Sequence, residues 1–179
     1  MLNKIICAGV GGQGVLTLGM LLAEGSASLG KNVTYIPEYG SEMRGGNAAV
    51  KIQIDDAPIV WPYMEEMNVF AVLHQSQVDK YIHMMESGGT VFAESELVSE
   101  LPEADTIKVI KIPCVQLAEK TENPKGMSCV MAGAVIAGTH LFSEEVAVQA
   151  IKEYFQHKNI PAEKNVACFI EGYRFVSNE

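Results

Sequence analysis

Lys4-Ile5-Ile6-Cys7-Ala8-Gly9-Val10-Gly11-Gly12-Gln13-Gly14 is the stretch on which the fold turns. Its almost wholly apolar opening predicts a short strand, Lys4 to Ala8, of the kind found in the middle of a parallel sheet. Glycines follow at once. Gly9, Gly11 and Gly14 satisfy G-x-G-x-x-G between a strand and a helix, the context in which that pattern carries meaning. Glycine serves there in a tight turn, in close backbone approach to a neighbour and in close helix–strand packing. The helix start beyond it offers unpaired N–H groups and a positive dipole end on which an anion can rest. Such a hairpin also works purely as a turn, so the pattern by itself leaves a bound nucleotide open.

Working outward, the next helix is expected from about Gly12 to Leu29, with a core stripe of Val15, Leu18, Leu22 and Leu29. Gly30 suits the position just past its end, and Lys31 sits by its negative pole. A second strand, Asn32 to Pro37, ends in Glu38, where an acidic residue would hold a ribose hydroxyl. The interval from Gly14 is slightly longer than the ~20 residues usual for that role. Then comes Tyr39-Gly40-Ser41-Glu42-Met43-Arg44-Gly45-Gly46, an aromatic, an acid, a thioether and an arginine set between glycines. It lies beyond the carboxyl end of the second strand, where open α/β sheets bind ligands. Arg44 is suited to gripping a carboxylate or phosphate through paired hydrogen bonds. The competing reading pairs Arg44 with Glu42 or Glu38 and leaves the glycines to shape a turn.

A length of 179 residues suits a single domain, 1–179, with a sizeable core. The formal net charge of −9 argues against a nucleic-acid partner, since nothing would neutralise a row of phosphates. No apolar window is long enough to span a membrane; Cys129 to Phe142, the longest, is short and carries Thr139 and His140. The start lacks the features of a signal peptide, and a cytoplasmic location is expected. Cys7, Cys114, Cys129 and Cys168 are far apart, which excludes an iron–sulfur or zinc site built from local spacing. Cys7 and Cys129, in apolar surroundings, are expected to be buried small hydrophobes.

From Asn47 to Asp55 the sequence alternates, Val50, Ile52 and Ile54 against Lys51, Gln53 and Asp55. That predicts a half-solvated strand, an edge or antiparallel addition. Ile59 to Met67 reads as a connection carrying Trp61. A strand from Asn68 to Leu73 and a helix from Gln75 to Met85, closed by Ser87-Gly88-Gly89, form the next unit. Strands are expected at Thr90 to Ala93 and Thr106 to Ile112. The last third is helical, with a short turn at Val115 to Lys120 and helices at Met127 to Leu141, Glu144 to Gln156 and Ala162 to Val176. Ser143 is placed to cap the second of these. The fold class is α/β: an open, mostly parallel sheet flanked by helices, with a Rossmann-like start and a helical C-terminal third. His74, His83, His140 and His157 are scattered, and no catalytic residue or metal-ligand set emerges. The entry to the helix at Met127, with Asn123, Lys125 and Ser128, is a second possible anion-binding terminus.

Taken together, Gly9-Val-Gly-Gly-Gln-Gly14 and Tyr39-Gly-Ser-Glu-Met-Arg-Gly-Gly46 resemble the gamma subunit of the 2-oxoacid:ferredoxin oxidoreductases. The resemblance covers essentially the whole chain, through Asn68-Val-Phe-Ala-Val-Leu and Met127 to Leu141 to Asn165-Val-Ala-Cys-Phe-Ile-Glu-Gly-Tyr173. Around Arg44 it is most similar to the 2-oxoglutarate enzymes; Glu38 departs, a small residue being more usual there. The resemblance implies that a 2-oxoacid is decarboxylated on thiamine diphosphate, that electrons pass through iron–sulfur clusters to ferredoxin, and that acyl-CoA leaves. This chain has neither a thiamine-diphosphate signature nor cluster cysteines, so the thiamine diphosphate, its Mg and the clusters are expected on partner subunits. The implied partners are alpha and beta (thiamine-diphosphate-binding) subunits and a ferredoxin-like iron–sulfur subunit, with CoA as co-substrate. Gly9, Gly11, Gly12, Gln13 and Gly14, with Tyr39, Glu42, Met43, Arg44, Gly45 and Gly46, are the residues expected to meet CoA or the partner. The alternatives are a stand-alone NAD-binding protein using Gly9 to Gly14 and Glu38, or a purely structural assembly subunit.

Overall fold

The computed structural model describes residues 2–39, 46–102 and 105–178. Along the chain run β1 (Asn3–Val10), α1 (Val15–Ser28), β2 (Asn32–Tyr39), β3 (Asn47–Asp55) and β4 (Met67–Val72). There follow α2 (Val78–Tyr81) between two 3-10 turns, then β5 (Met85–Glu94), β6 (Lys108–Ile112) and α3 (Cys114–Lys120). The chain ends in α4 (Met127–Thr139), α5 (Glu144–His157) and α6 (Glu163–Ser177). One sheet holds all six strands in the order β2-β3-β1-β4-β5-β6. β4, β5 and β6 continue parallel from β1, whereas β3 is antiparallel to both β1 and β2.

The expected α/β architecture is thus present, but β3 is an interior strand and not an edge. It lies between β1 and β2, so the first β-α-β unit does not close into adjacent strands as a dinucleotide-binding half would. β3 also explains why β1 outruns its expected end at Ala8. Its parallel partner stops at the Ala8–Val72 pair, but the antiparallel ladder carries on through Gly9–Ala48 and Val10–Asn47.

Alternation along the strands divides the sheet into two faces. Ile5, Cys7, Val50, Ile52, Val69 and Ala71 point to a face covered by α1 and α3 to α6. Ile6, Ala8, Ala49, Phe70, Val72 and Val91 point to the other, covered by the segment from Gln75 to Met84 and by Met64. Ile5 to Ala8 have no exposed surface, as expected of a central strand.

Two local readings are corrected. Gln75 to Met85 is not one helix: a 3-10 turn at Gln75–Gln77, one α-turn and a 3-10 turn at Ile82–Met84 share the segment. It must return from the carboxyl end of β4 to Met85, which pairs with Met67 at the other end of that strand. A six-residue strand is roughly 20 Å long; ten residues of α-helix span about 15 Å, and 3-10 geometry at ~2.0 Å per residue closes the difference. Ser87-Gly88-Gly89 is not a helix stop either. It lies within β5, where the register against β4 shifts and Gly88 takes φ +84°.

The helical third packs through its small residues. α4 and α6 cross where a Cβ on Gly172 would collide with the Val130 carbonyl and one on Gly133 with the Phe169 carbonyl. Backbone lies against backbone there, and Val130 to Ile136 are buried.

Candidate functional site

At the carboxyl end of β1 the chain turns through Gly11 and Gly12 into α1, and Gln13 locks the turn. Its backbone N–H donates to the Val10 carbonyl (3.2 Å), while its Oε1 accepts from the Val10 N–H (2.8 Å). Its Nε2 donates to the Leu73 carbonyl at the end of β4 (3.0 Å). The Gln13 side chain therefore ties the neighbouring ends of β1 and β4 together, a role its place in the glycine pattern did not disclose. Gly9 has no room for a side chain: a Cβ would stand 2.5 Å from Gln13 Oε1 and 2.8 Å from the Val15 side chain.

Gly14 ends the turn in left-handed backbone (φ 74°), and a Cβ on it would lie 2.6 Å from Ser128 Oγ. Ser128 stands in the first turn of α4, so Gly14 brings the starts of two helices together. Neither start has a side-chain cap or an acidic residue in its first turn. Two positive helix ends thus meet beside the exposed Gly11 and Gly12, with no carboxylate of their own to neutralise them.

The second glycine stretch arrives at the same place. The Gly11 N–H donates to the Gly46 carbonyl (2.8 Å), joining the two segments singled out in the sequence. Asn47, next in the chain, accepts from Gln77 Nε2 (2.6 Å), and Gln77 itself is fully buried. Tyr39 ends β2, its backbone paired with Ala48. Glu42, Met43, Arg44 and Gly45, with the Tyr39 side chain, lie outside the described residues.

Glu38 is engaged elsewhere. On the sheet face opposite α1, its carboxylate meets Lys51 Nζ at 2.8 Å and Lys80 Nζ at 3.6 Å, and accepts from the Tyr81 hydroxyl at 2.7 Å. Partial burial alone would raise its pKa, but hydrogen bonds from Lys51 and Tyr81 and the two ammonium charges outweigh it and hold the carboxyl below its ordinary value. Burial and the Glu38 carboxylate together push the Tyr81 phenol up. With β3 intervening and these partners in place, Glu38 does not occupy the ribose-binding position of a dinucleotide fold. Lys51, Lys80 and Tyr81 escaped the sequence reading because strand pairing and the β4–β5 crossover bring them to Glu38.

Other candidates have structural duties. His74 caps the turn that follows it, its ring accepting from the Ser76 N–H (3.2 Å). All four cysteines are buried; burial pushes the Cys129 thiol up to about 12 and raises Cys168, which leaves no ready thiolate. Among the described residues no cluster of His, Cys, Asp and Glu could hold a metal, and no helix is long and apolar enough to cross a membrane.

Comparison with known proteins identifies the family. Residues 4–175 match the family model described as pyruvate ferredoxin/flavodoxin oxidoreductase. The chain is 32% identical, over 97% of its length and 93% of the relative's, to the 2-oxoglutarate synthase subunit KorC of Methanocaldococcus jannaschii. It is 28% identical to the ketoisovalerate oxidoreductase subunit VorA of Methanothermobacter thermautotrophicus, over 94% of this chain but 35% of that one. Among solved structures, the keto/oxoacid ferredoxin oxidoreductase gamma subunit of Geobacter sulfurreducens superposes with a TM-score of 0.82, 26% identical, covering 99% of both chains.

Proposed function

The chain belongs to the pyruvate ferredoxin/flavodoxin oxidoreductase family and is of its gamma-subunit type, and we propose that it completes, at a subunit interface, a site that oxidises 2-oxoglutarate to succinyl-CoA and CO2. Thiamine diphosphate on a companion subunit supplies the carbanion chemistry, and clusters carry the two electrons to ferredoxin. This chain contributes neither group. Its part is to hold CoA and to shape the companion's site, inside the cytoplasm and without a nucleic-acid or membrane partner.

One observation carries the reading: the Gly11 N–H bonds the carbonyl of Gly46, two residues after Arg44 in the sequence, beside the exposed glycine turn and the paired starts of α1 and α4. Backbone N–H groups and positive helix ends suit a phosphate, and an arginine placed beside them adds a bidentate grip. A CoA phosphate meets that description. Gly9, Gln13 and Gly14 build the platform; Gly11, Gly12 and Gly46 bring it to the surface; Tyr39, Glu42, Met43, Arg44 and Gly45 supply side chains and backbone toward ligand and companion. 2-Oxoglutarate is favoured over a branched-chain oxoacid by the sequence around Arg44 and by the full-length similarity to KorC.

The test is Arg44→Ala in the assembled complex. Loss of a bidentate phosphate contact should raise the KM for CoA about tenfold or more, with the KM for 2-oxoglutarate little changed. If the CoA KM and the yield of complex both match the parent, Arg44 serves neither CoA nor assembly. A panel of 2-oxoacids assayed on the same complex decides the substrate: preference for 2-oxoisovalerate would displace 2-oxoglutarate.

A further inference from the structure

The connection between β3 and β4 presents three large apolar side chains to solvent, far from the glycine turn. Val60 is 94% exposed, Trp61 66% and Tyr63 62%. They are not a loose loop tip. Gln53, itself buried, donates from Nε2 to the Trp61 carbonyl (2.9 Å), and Met64 anchors the other end in the core. The Trp61 and Tyr63 rings pack edge to face at 5.5 Å. Beneath them is a cleft of about 590 Å³ whose lining includes Leu2, Lys4, Asp55, Glu65 and Glu66. That lining holds three carboxylates and a single ammonium, that of Lys4, which is itself engaged by Glu86 and Glu66.

We propose that this ledge docks a companion polypeptide of the same oxidoreductase, one that sets an apolar pocket for Trp61 and Tyr63 within a basic rim. Fixed aromatic side chains with little freedom to lose are the residues that dominate protein interfaces, and a surrounding charged rim selects the partner. The sign of the rim chooses between occupants. A second copy would bring carboxylates against carboxylates, whereas lysines or arginines on a different polypeptide complement them. A lasting companion is also consistent with VorA, in which the counterpart of this chain is only about a third of a longer polypeptide.

Position gives the proposal its discriminating test. Lys4 lies at the start of β1 and the glycine turn at its end, separated by the length of an eight-residue strand, roughly 25 Å. A change at the ledge should therefore weaken assembly without disturbing CoA. The experiment titrates this chain, as parent, Trp61→Ala or the double variant Glu65→Lys, Glu66→Lys, into the remaining subunits of its complex at two salt concentrations. The expected result for Trp61→Ala is a dissociation constant raised at least thirtyfold, with the CoA KM and kcat unchanged once the variant is saturating. The lysine variant should bind at least tenfold more weakly at low salt and lose the salt dependence of the parent. Circular dichroism and thermal melting of each variant alone show whether the fold is kept; the lysine variant, altered only at exposed positions, decides the matter if Trp61→Ala melts early.

Binding within twofold of the parent by both variants overturns the docking surface and leaves the functional reading standing. A parent chain that forms dimers lost on Trp61→Ala, while heteromeric assembly is untouched, gives the ledge to a second copy and also overturns the proposal. The inference rests on the assignment to an oxidoreductase complex, so a parent chain that associates with no other subunit removes that assignment and this one with it.

Discussion

A hydrogen bond from the Tyr81 hydroxyl to Glu38 couples two groups whose protonation shifts in opposite directions. Glu38 has its folded pKa depressed, so its contribution to stability is present above the unfolded value of about 4.3 and is lost as pH falls through the folded value. Tyr81 has its folded pKa raised, so its contribution is present below about 10 and is lost as pH rises past the ordinary phenol range. Tyr81→Phe removes the donor and the titrating phenol while keeping the ring, which packs edge to face on Phe70. Because Glu38 is a third exposed, the loss at neutral pH should be about 1 kcal/mol, below the range for a fully buried charged hydrogen bond. The difference between variant and parent should be greatest from about pH 5 to 10 and shrink on either side. Urea midpoints measured across pH 3 to 11 check it; a constant difference over that range would show that the two groups are not coupled through folding.

At the level of the element, the α4–α6 crossing inverts a familiar preference. Alanine in place of glycine inside a helix is usually worth about 1 kcal/mol of stability. At Gly172 the added methyl meets the Val130 backbone, which cannot rotate away, so Gly172→Ala should cost about 3 kcal/mol. Gly19→Ala in α1 meets side chains and not backbone, the buried β-branched Val50 first and then Ile52 and the Tyr35 ring, and should cost less, about 2 kcal/mol. Urea denaturation of the two variants gives the order directly, and a Gly172→Ala protein as stable as its parent would mean the helices are not in backbone contact.

The same contrast between local and distant contacts explains what could be read from the sequence. β1, β3 and β4 were legible within a residue or two at most ends because apolar runs and the Val50-Ile52-Ile54 alternation are local facts. Ser143 capping α5 through the Val146 N–H is local too. The insertion of β3 between β1 and β2 depends on pairing, which no spacing states, and it removed Glu38 from the role its position suggested. The glycine turn was visible as a turn. That Gln13 is spent on Leu73, and that Gly14 exists to clear Ser128, became visible only once β4 and α4 were beside it.

Seen across the molecule, the sheet is unevenly covered. Five helices pack on one face, and α4 is buried along nearly its whole length. The other face rests on a one-turn helix between 3-10 turns, on the Met64 anchor and on Val98 and Leu101 after β5, with Trp61 and Tyr63 left in solvent. Cooperative units open in order of the apolar contact that holds them, and short 3-10 segments have little of their own. In the isolated chain, amide hydrogen exchange should therefore be slowest in β1, β4 and α4, and faster by two or more orders of magnitude across Gln75 to Met84. The reason the fast segment survives at all is chemical and not helical: Gln77 is tied to Asn47, and Tyr81 and Lys80 to Glu38, so the crossover is pinned to β3 and β2. Breaking one pin with Gln77→Ala should speed exchange through the whole crossover and leave α4 unchanged. If the crossover instead exchanges as slowly as α4 in the parent, the two faces open as one unit and the thin layer is as firmly held as the thick one.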